Sequence, residues 1–209
     1  EMIRDISGLL ESEGIKVWSV KLVSDGFFGL SVAPEDGGPA IVVNTHDRIP
    51  VERWIFSAAH ELGHLVMHRN QYDINEADID DVCEKQADTF ASHFLMPDVL
   101  FRKEWSEMQG LAFYERVLKV KRIFRVSYKT VLYRLSERIK QPNLWMAFQN
   151  VHYRQTGKRL FREDEPRGLA ADAFKKKRVE EILSPEPEGL SHADFVDDQC
   201  EGRLDEDRT

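Results

Sequence analysis

Residues 57–68 read SAAHELGHLVMH, and this stretch holds the pattern His60-Glu61-x-x-His64 within a run of helical periodicity. On an α-helix, side chains four residues apart differ by about 40° around the axis and by about 6 Å along it. The imidazoles of His60 and His64 can therefore bind one metal ion. Glu61 then lies where a hydrolase needs a general base for the attacking water. The stretch indicates a metallopeptidase.

A second predicted helix, over residues 80–95, offers a third ligand. Glu84 follows His64 by twenty residues, which is enough for a loop and a helix that returns antiparallel to the first. Asp88 lies about one turn after Glu84 on the same face, where it can accept a hydrogen bond from the outward N–H of a ligand histidine. The sequence thus predicts His60, His64 and Glu84 as metal ligands, with Asp88 behind them. We expect one Zn²⁺ per chain, with Mn²⁺ or Fe²⁺ as alternatives.

Four other side chains near the motif receive weaker interpretations. His68 continues the four-residue series but lies about 6 Å further along the axis, so packing or helix capping is favoured over metal binding. His93 falls on the opposite helix face from Glu84 and is discounted. His46 and Tyr72 lie in predicted loops, and each is a candidate hydrogen-bond donor to the oxyanion of the reaction.

The wider pattern predicts an α+β fold. Three short strands precede the motif helix, and glycine and proline residues separate them. Their ranges are 16–22, 27–32 and 40–44. The predicted helices are 2–13, 50–67, 80–95, 98–105, 111–122, 128–139, 143–155 and 169–183. On the motif helix, spacing predicts a buried stripe comprising Val51, Trp54, Ile55, Ala58, Ala59, Leu62 and Val66.

Three regions follow from this layout. We expect residues 1–105 to form a zincin-like metallopeptidase domain, with a small N-terminal β-sheet and two metal-binding helices. Residues 106–183 form a helical region with a segment resembling a helix-turn-helix, and residues 184–209 form an acidic C-terminal tail. Because the chain begins at Glu1, an additional domain before it is left open.

The last predicted strand directly precedes the motif helix and is a candidate substrate-binding strand. If it lies at a sheet edge, an extended substrate can pair with it and be drawn across the metal. The alternative is an ordinary buried strand. The residues concerned are Ala40, Ile41, Val42, Val43 and Asn44.

Composition narrows the setting. The 209 residues are 42% hydrophobic, which suits a globular protein with one good core. No apolar run approaches the ~18 residues that cross a bilayer, and no export signal is present. Cys83 and Cys200 are the only cysteines, which disfavours a disulfide framework. We therefore predict a cytoplasmic protein without a membrane partner.

The net charge of −8 conceals an uneven distribution. Residues 119–140 hold eight basic residues and one acidic, whereas residues 179–209 hold eleven acidic and two basic. The helix-turn-helix pattern spans residues 113–139, and Lys129, Arg134 and Arg138 on its second helix are candidates for DNA or partner contact. The alternative is a helical buttress for the peptidase. The acidic tail could cover this basic segment at rest.

Residues 40–97 resemble the ImmA/IrrE family of metallopeptidases. The resemblance is carried by IVVN at 41–44, by SAAHELGHLVMH at 57–68 and by EKQADTFASHFLMP at 84–97. It continues more weakly through VSYKTVLYRLSERI at 126–139 and GKRLFREDEP at 157–166. Many relatives carry asparagine where Asp88 stands, and the aspartate is closer to the broader glutamate-zincin pattern.

The resemblance implies the site and the activity. His60, His64 and Glu84 match the family's zinc ligands, and Glu61 matches its catalytic glutamate. The family implies limited, regulatory proteolysis of a helix-turn-helix repressor that is encoded beside the peptidase, in stress response, transfer or defence. Two rival functions stay open: a DNA-binding regulator whose metal site is not catalytic, and the sensor part of a larger repressor.

Overall fold

A small mixed β-sheet forms the N-terminal part of the protein. The structure, a computed structural model, describes residues 2–24, 26–68, 81–139, 143–161 and 163–175. The strands are β1 (Lys16–Val20), β2 (Gly29–Val32) and β3 (Ala40–Asn44), in the order β1-β3-β2. Strand β3 pairs in parallel with β1 and antiparallel with β2. Within the described residues, three strands and seven α-helices confirm the predicted α+β class.

The position of β3 corrects the substrate-strand prediction. Both edges of Ala40–Asn44 are already paired, so this strand has no free backbone groups with which to bind an extended substrate. Ile41 and Val43 are fully buried, as expected for a central strand. Among the described strands, β2 is the edge strand on the other side of β3 from β1.

Helix α1 (Ile6–Ser12) is shorter than predicted at its start, because the Asp5 side chain accepts a hydrogen bond from the Gly8 amide and caps it. Helix α2 (Val51–Met67) begins directly after Pro50 and carries the metal-binding motif. Its buried face includes Leu65, whereas Val66 is 53% exposed, so the predicted stripe is wrong at its last position.

Helix α3 (Asp81–Leu95) packs against α2 and ends before Met96-Pro97, as predicted. The two helices approach closely at one point. A Cβ atom on Gly63 of α2 would lie 3.1 Å from Cδ1 of Phe90 and 3.2 Å from Cα of Ala87. Glycine at this position therefore lets α3 bring its side chains up to the histidines of α2.

Four further helices form the rest of the described fold: α4 (Asp98–Glu107), α5 (Phe113–Phe124), α6 (Tyr128–Ser136) and α7 (Leu144–Thr156). Tyr128 of α6 stacks on Phe148 of α7, with ring centroids 4.8 Å apart. One hydrophobic core runs through the sheet and all of these helices, from Ile6 to Phe174. The predicted division at residue 105 stays a prediction.

The chain after α7 differs from the prediction. The helix expected over residues 169–183 is wrong up to residue 175, where the structure has only a single 3-10 turn, Ala171–Ala173. Ala170 is extended, and the Leu169 amide donates to Glu52 Oε1 of α2 instead of entering a helix. The remainder of that helix, the loop expected over residues 69–79 and the acidic tail over 184–209 lie outside the described residues.

A buried charge cluster fastens this last segment to the fold. Lys121 of α5 donates to Glu52 Oε1 at 2.9 Å and to the Pro166 carbonyl at 2.9 Å, and it lies 2.8 Å from Glu165 Oε1. The side chains of Lys121 and Glu52 are fully buried.

No helix in the described part of the chain is both long enough and apolar enough to cross a membrane.

Candidate metal centre

Three predicted ligands meet where α2 and α3 pack together. His60, His64 and Glu84 each offer one ligand atom, and these atoms all lie within 4.8 Å of one another. The two Nε2 atoms are 3.0 Å apart, and Glu84 Oε2 is 3.2 Å from that of His60. The opposite oxygen, Glu84 Oε1, is 3.3 Å from His64 Nε2. Two imidazole nitrogens and one carboxylate are a donor set that suits a divalent transition metal and leaves a position for water.

Asp88 orients the first of these histidines. Its Oδ1 lies 2.9 Å from His60 Nδ1, and an ionised carboxylate can only accept, so Nδ1 carries the hydrogen. The lone pair is then on Nε2, which faces the other ligands. Burial lowers the pKa of His60, but the carboxylates of Asp88, Glu61 and Glu84 more than offset it, and the pKa is raised.

His64 is oriented by a residue for which the sequence favoured only a packing or capping role. His68 forms the C-cap of α2 and is buried, and its Nδ1 lies 3.0 Å from His64 Nδ1. Its Nε2 lies 2.9 Å from Gln86 Oε1 on α3. Burial lowers the pKa of His64, and the neighbouring His60 adds to that effect.

Glu61 lies beside the ligands but contacts the sheet. Its Oε2 accepts a hydrogen bond of 2.9 Å from the Ser31 hydroxyl on β2. On the same strand, a Cβ on Gly29 would come within 3.2 Å of Glu61 Oε1, so glycine leaves room for the carboxylate. Burial raises the pKa of Glu61, and the Ser31 hydrogen bond and His60 oppose the rise only in part.

Ser31 and Gly29 were missed in the sequence. The signal that could have revealed them is the alternation of two small residues on one strand, which places both on the same face of the sheet. Gln86 was also missed, although it lies between Glu84 and Asp88 in the chain. Its side chain is polar and exposed, which gave no signal by itself.

The profile of the IrrE N-terminal-like domain, Peptidase M78, matches residues 11–136, more than half of the 209 residues. The chain belongs to this family. Members of the M78 family are typically metal-dependent, and the family suggests a metallopeptidase-like domain.

A solved Mycobacterium tuberculosis transcriptional regulator is similar at 20% identity and a TM-score of 0.42, over 63% of this chain and 40% of that one. The matched part thus spans less than half of the regulator chain. Comparison with curated proteins gives no significant match.

A cavity of about 570 Å³ adjoins the metal centre of this M78 domain. Asp88 and Phe56 line the end of the cavity nearest the ligands. Asp88 bonds to His60, and the ring centroids of Phe56 and His60 are 6.5 Å apart. Tyr133 of α6 and Trp145 of α7 line the cavity from the helical region. Residues 163–165 contribute acidic side chains to its wall.

The basic side chains singled out on α6 lie in different environments. Arg134 is fully buried and paired with Asp98 and Glu137, which corrects its assignment to a DNA-contacting surface. The side chain of Arg138 is 30% exposed and pairs with Asp98. Lys129 is half-buried and lines the cavity.

Three histidine and tyrosine predictions complete the comparison. His93 contacts Arg134 and lies 3.5 Å from Glu137, away from the ligand set, as expected. His46 Nδ1 accepts from the Arg48 amide at 3.3 Å, and its role as an oxyanion donor stays a prediction. Tyr72 lies outside the described residues.

Proposed function

We propose that this protein is a zincin-like, metal-dependent endopeptidase that makes limited, regulatory cuts in a helix-turn-helix repressor. The observation that carries the proposal is the convergence of His60, His64 and Glu84 within 4.8 Å. Glu61 lies beside them as a buried carboxylate with a raised pKa, which suits a general base. The choice of a repressor as substrate rests on membership of the M78 family alone.

Zn²⁺ is the metal that this donor set fits best, with Mn²⁺ and Fe²⁺ as alternatives. His60, His64 and Glu84 would hold the ion. When bound, zinc supplies Lewis acidity that polarises the scissile carbonyl and makes water more acidic. Asp88, 2.9 Å from His60 Nδ1, would keep the lone pair on His60 Nε2 for the ion and raise the basicity of that imidazole.

Glu61 moves the protons of the reaction. Its carboxylate takes a proton from the attacking water as the new C–O bond forms at the peptide carbonyl. The same carboxyl group then gives that proton to the amine nitrogen as the C–N bond breaks, which returns Glu61 to its ionised form. The Ser31 hydroxyl holds the carboxylate in place through both steps.

The substrate would bind to β2 rather than to β3. Among the described strands β2 is at an edge, and its Ser31 contacts Glu61, so a chain paired with β2 runs past the general base. Side chains of the substrate on one side of the scissile bond would enter the cavity bounded by Phe56, Tyr133 and Trp145.

Two linked measurements test the proposal. The first is metal content of purified protein, for wild type, Glu61→Gln and Glu84→Ala. We expect about one zinc per chain in wild type and Glu61→Gln, and a loss of zinc in Glu84→Ala. Absence of metal from wild type, even after zinc is added back, would refute the proposed metal-dependent peptidase activity.

The second measurement is co-expression of each variant with the helix-turn-helix proteins encoded beside its gene, followed by mass spectrometry of fragments. We expect one fragment pair with wild type and a loss of about 10²- to 10⁴-fold with Glu61→Gln, as for removal of a general base. Cleavage by Glu61→Gln at the wild-type rate would refute the assigned role of Glu61.

A DNA-binding regulator is the rival function, and no observation favours it. Of the eight basic residues in segment 119–140, Lys121 and Arg134 are fully buried in ion pairs. The rival function predicts that Glu61→Gln leaves DNA affinity unchanged and that no repressor is cut.

The predicted cytoplasmic location stays a prediction.

A further inference from the structure

We propose that His68 and Gln86 form a hydrogen-bond relay that selects the metal-binding tautomer of His64. The proposal rests on the metal-ligand role of His64 given above. The relay joins three side chains: His64 Nδ1 to His68 Nδ1 at 3.0 Å, and His68 Nε2 to Gln86 Oε1 at 2.9 Å. It runs from the end of α2 across to α3.

The direction of the relay follows from the acceptor at its end. The amide oxygen of Gln86 can only accept, so His68 Nε2 must donate. A neutral imidazole with its hydrogen on Nε2 has a bare Nδ1, which can only accept. His64 therefore donates from Nδ1, and its Nε2 keeps a free lone pair. That Nε2 is the atom that lies 3.0 Å from His60 Nε2 and 3.3 Å from Glu84 Oε1.

The opposite amide orientation would have the opposite result. If the NH₂ group of Gln86 faced His68, it would donate to Nε2, and His68 would donate from Nδ1 to His64. The hydrogen of His64 would then be on Nε2, where a ligand must be unprotonated. The side-chain carbonyl of Gln86 is thus the group that sets the chemistry of a ligand two hydrogen bonds away.

The two ligand histidines are consequently oriented in different ways. His60 has a direct carboxylate partner in Asp88, which is an acceptor in either orientation. His64 depends on a neutral relay whose last member can accept or donate. Asp88 and the last member of the relay, Gln86, both come from α3, on either side of the buried Ala87 in the chain. The packing of α3 on α2 therefore fixes the third ligand and both imidazoles together.

Substitution at Gln86 tests the relay with little risk to folding, because its side chain is exposed. Gln86→Glu keeps only acceptor oxygens, so it preserves the required direction. Gln86→Met has a similar size but no hydrogen-bonding group. Gln109→Met, at an exposed position in the turn after α4, is the matched control for the chemical change.

The measurement is the zinc dissociation constant by competition with a chromogenic chelator, together with the cobalt(II) absorption spectrum. We expect Gln86→Met to weaken zinc binding about tenfold, the lower end of the effect of losing such a partner. Gln86→Glu should bind within twofold of wild type or more tightly, as should Gln109→Met. His68→Phe should weaken binding about 10- to 100-fold, with the folded state checked by circular dichroism.

Histidine ¹⁵N chemical shifts provide a readout that packing alone does not move. In the metal-free protein, the shifts of His64 should report hydrogen on Nδ1 in wild type and Gln86→Glu, and this preference should be lost in Gln86→Met. Equal zinc affinities for wild type, Gln86→Met and His68→Phe would overturn the relay. So would equal losses in Gln86→Glu and Gln86→Met, which would indicate a role for size rather than for the acceptor.

Different results would contradict the relay and the proposed ligand set. Loss of zinc in Glu84→Ala with unchanged binding in the Gln86 and His68 variants contradicts the relay alone. Retention of zinc in Glu84→Ala contradicts the ligand set on which the proposed function rests.

Discussion

The Ser31 hydroxyl, on edge strand β2, donates a 2.9 Å hydrogen bond to Oε2 of Glu61 on α2. This bond joins the sheet to the side chain proposed as general base. It has a definite electrostatic effect, because it lowers the pKa of a carboxyl group that burial otherwise raises. Glu61 must be ionised to accept a proton, so the bond extends the pH range over which it can act.

Ser31→Ala should shift the acidic limb of the rate profile to higher pH. Without the hydroxyl, the pKa of Glu61 rises further, and the ionised fraction at a given acidic pH falls. The loss of one hydrogen bond to a charged group is worth about 1.5–3 kcal/mol, or roughly a 10- to 100-fold fall in kcat/KM. The measurement is kcat/KM against pH with the repressor identified by co-expression.

Ser31→Thr is the control, since it keeps the hydroxyl on the same strand and should retain most of the activity. Zinc content should be unchanged in both variants, because Ser31 bonds to Glu61, which is not one of the proposed metal ligands. An acidic limb at the same pH in wild type and Ser31→Ala would show that the hydrogen bond does not tune Glu61.

Gly63→Val should lower both stability and metal affinity. A Cβ at this position already lies 3.1 Å from Phe90 Cδ1 and 3.2 Å from Ala87 Cα, so a branched side chain must push α3 away from α2. Overpacking of this kind costs about 1–3 kcal/mol in the free energy of unfolding. The same movement separates Glu84 from His64. Chemical denaturation and zinc competition measure the two effects.

Gly110→Val is the matched control, because a Cβ there meets nothing within 4 Å. Its free energy of unfolding should stay within about 0.5 kcal/mol of wild type, as for most surface changes. If Gly63→Val were as stable as this control, the close packing of α2 and α3 would not be a requirement of the site.

The elements nearest the metal could be predicted from sequence because their signals are local. Helix α2 follows Pro50, and α3 ends at Met96-Pro97, so periodicity and proline together gave their bounds within a residue. The order of strands has no local signal. Strand β3 is apolar enough for either an edge or a centre, and only its pairing on both sides shows which it is.

The basic segment shows the same limitation. Lys121 and Glu52 are sixty-nine positions apart, so nothing in the sequence near either residue indicates a buried ion pair. The run of charge over residues 119–140 suggested a surface for DNA, whereas Lys121 and Arg134 hold the interior together. The helix expected from residue 169 is wrong for a related reason, since Leu169 bonds to that same distant glutamate.

Glu165→Gln should remove a pH-dependent loss of stability. Burial raises the pKa of Glu165 from 4.5 to about 6, although Lys121 opposes the rise. The folded protein binds this proton more tightly than the unfolded chain, so stability is full below pH 4.5 and falls as pH rises through about 6. The loss amounts to about 2 kcal/mol at most. Glutamine cannot ionise and avoids it.

The measurement is urea denaturation of wild type and Glu165→Gln at pH 4 and pH 7. The free energy of unfolding of Glu165→Gln, relative to that of wild type, should rise by about 1–2 kcal/mol from pH 4 to pH 7. Glu163→Gln changes an exposed position two residues earlier, and its free energy of unfolding should match that of wild type at both pH values. A constant difference between Glu165→Gln and wild type would mean that this carboxyl group does not titrate in that range.

Tyr133→Ala should change which substrate residue is accepted beside the scissile bond. Tyr133 lines the cavity that begins at Asp88 and Phe56, so its ring would contact a substrate side chain bound there. An aromatic contact of this kind is worth about 1 kcal/mol, or roughly a fivefold rise in KM for the natural substrate. The value of kcat should change less, because Tyr133 is neither a proposed ligand nor the proposed general base, and zinc content should stay at one per chain.

Tyr153→Ala is the matched control, because this tyrosine is 52% exposed on α7 and does not line the cavity. Steady-state kinetics on the repressor and on peptides varied on each side of the cut would compare the two. A shift in preference confined to one substrate position, and present only in Tyr133→Ala, would identify the residue that enters the cavity. Identical KM values and preferences in both variants would mean that the substrate leaves the metal centre in another direction, along β2 alone.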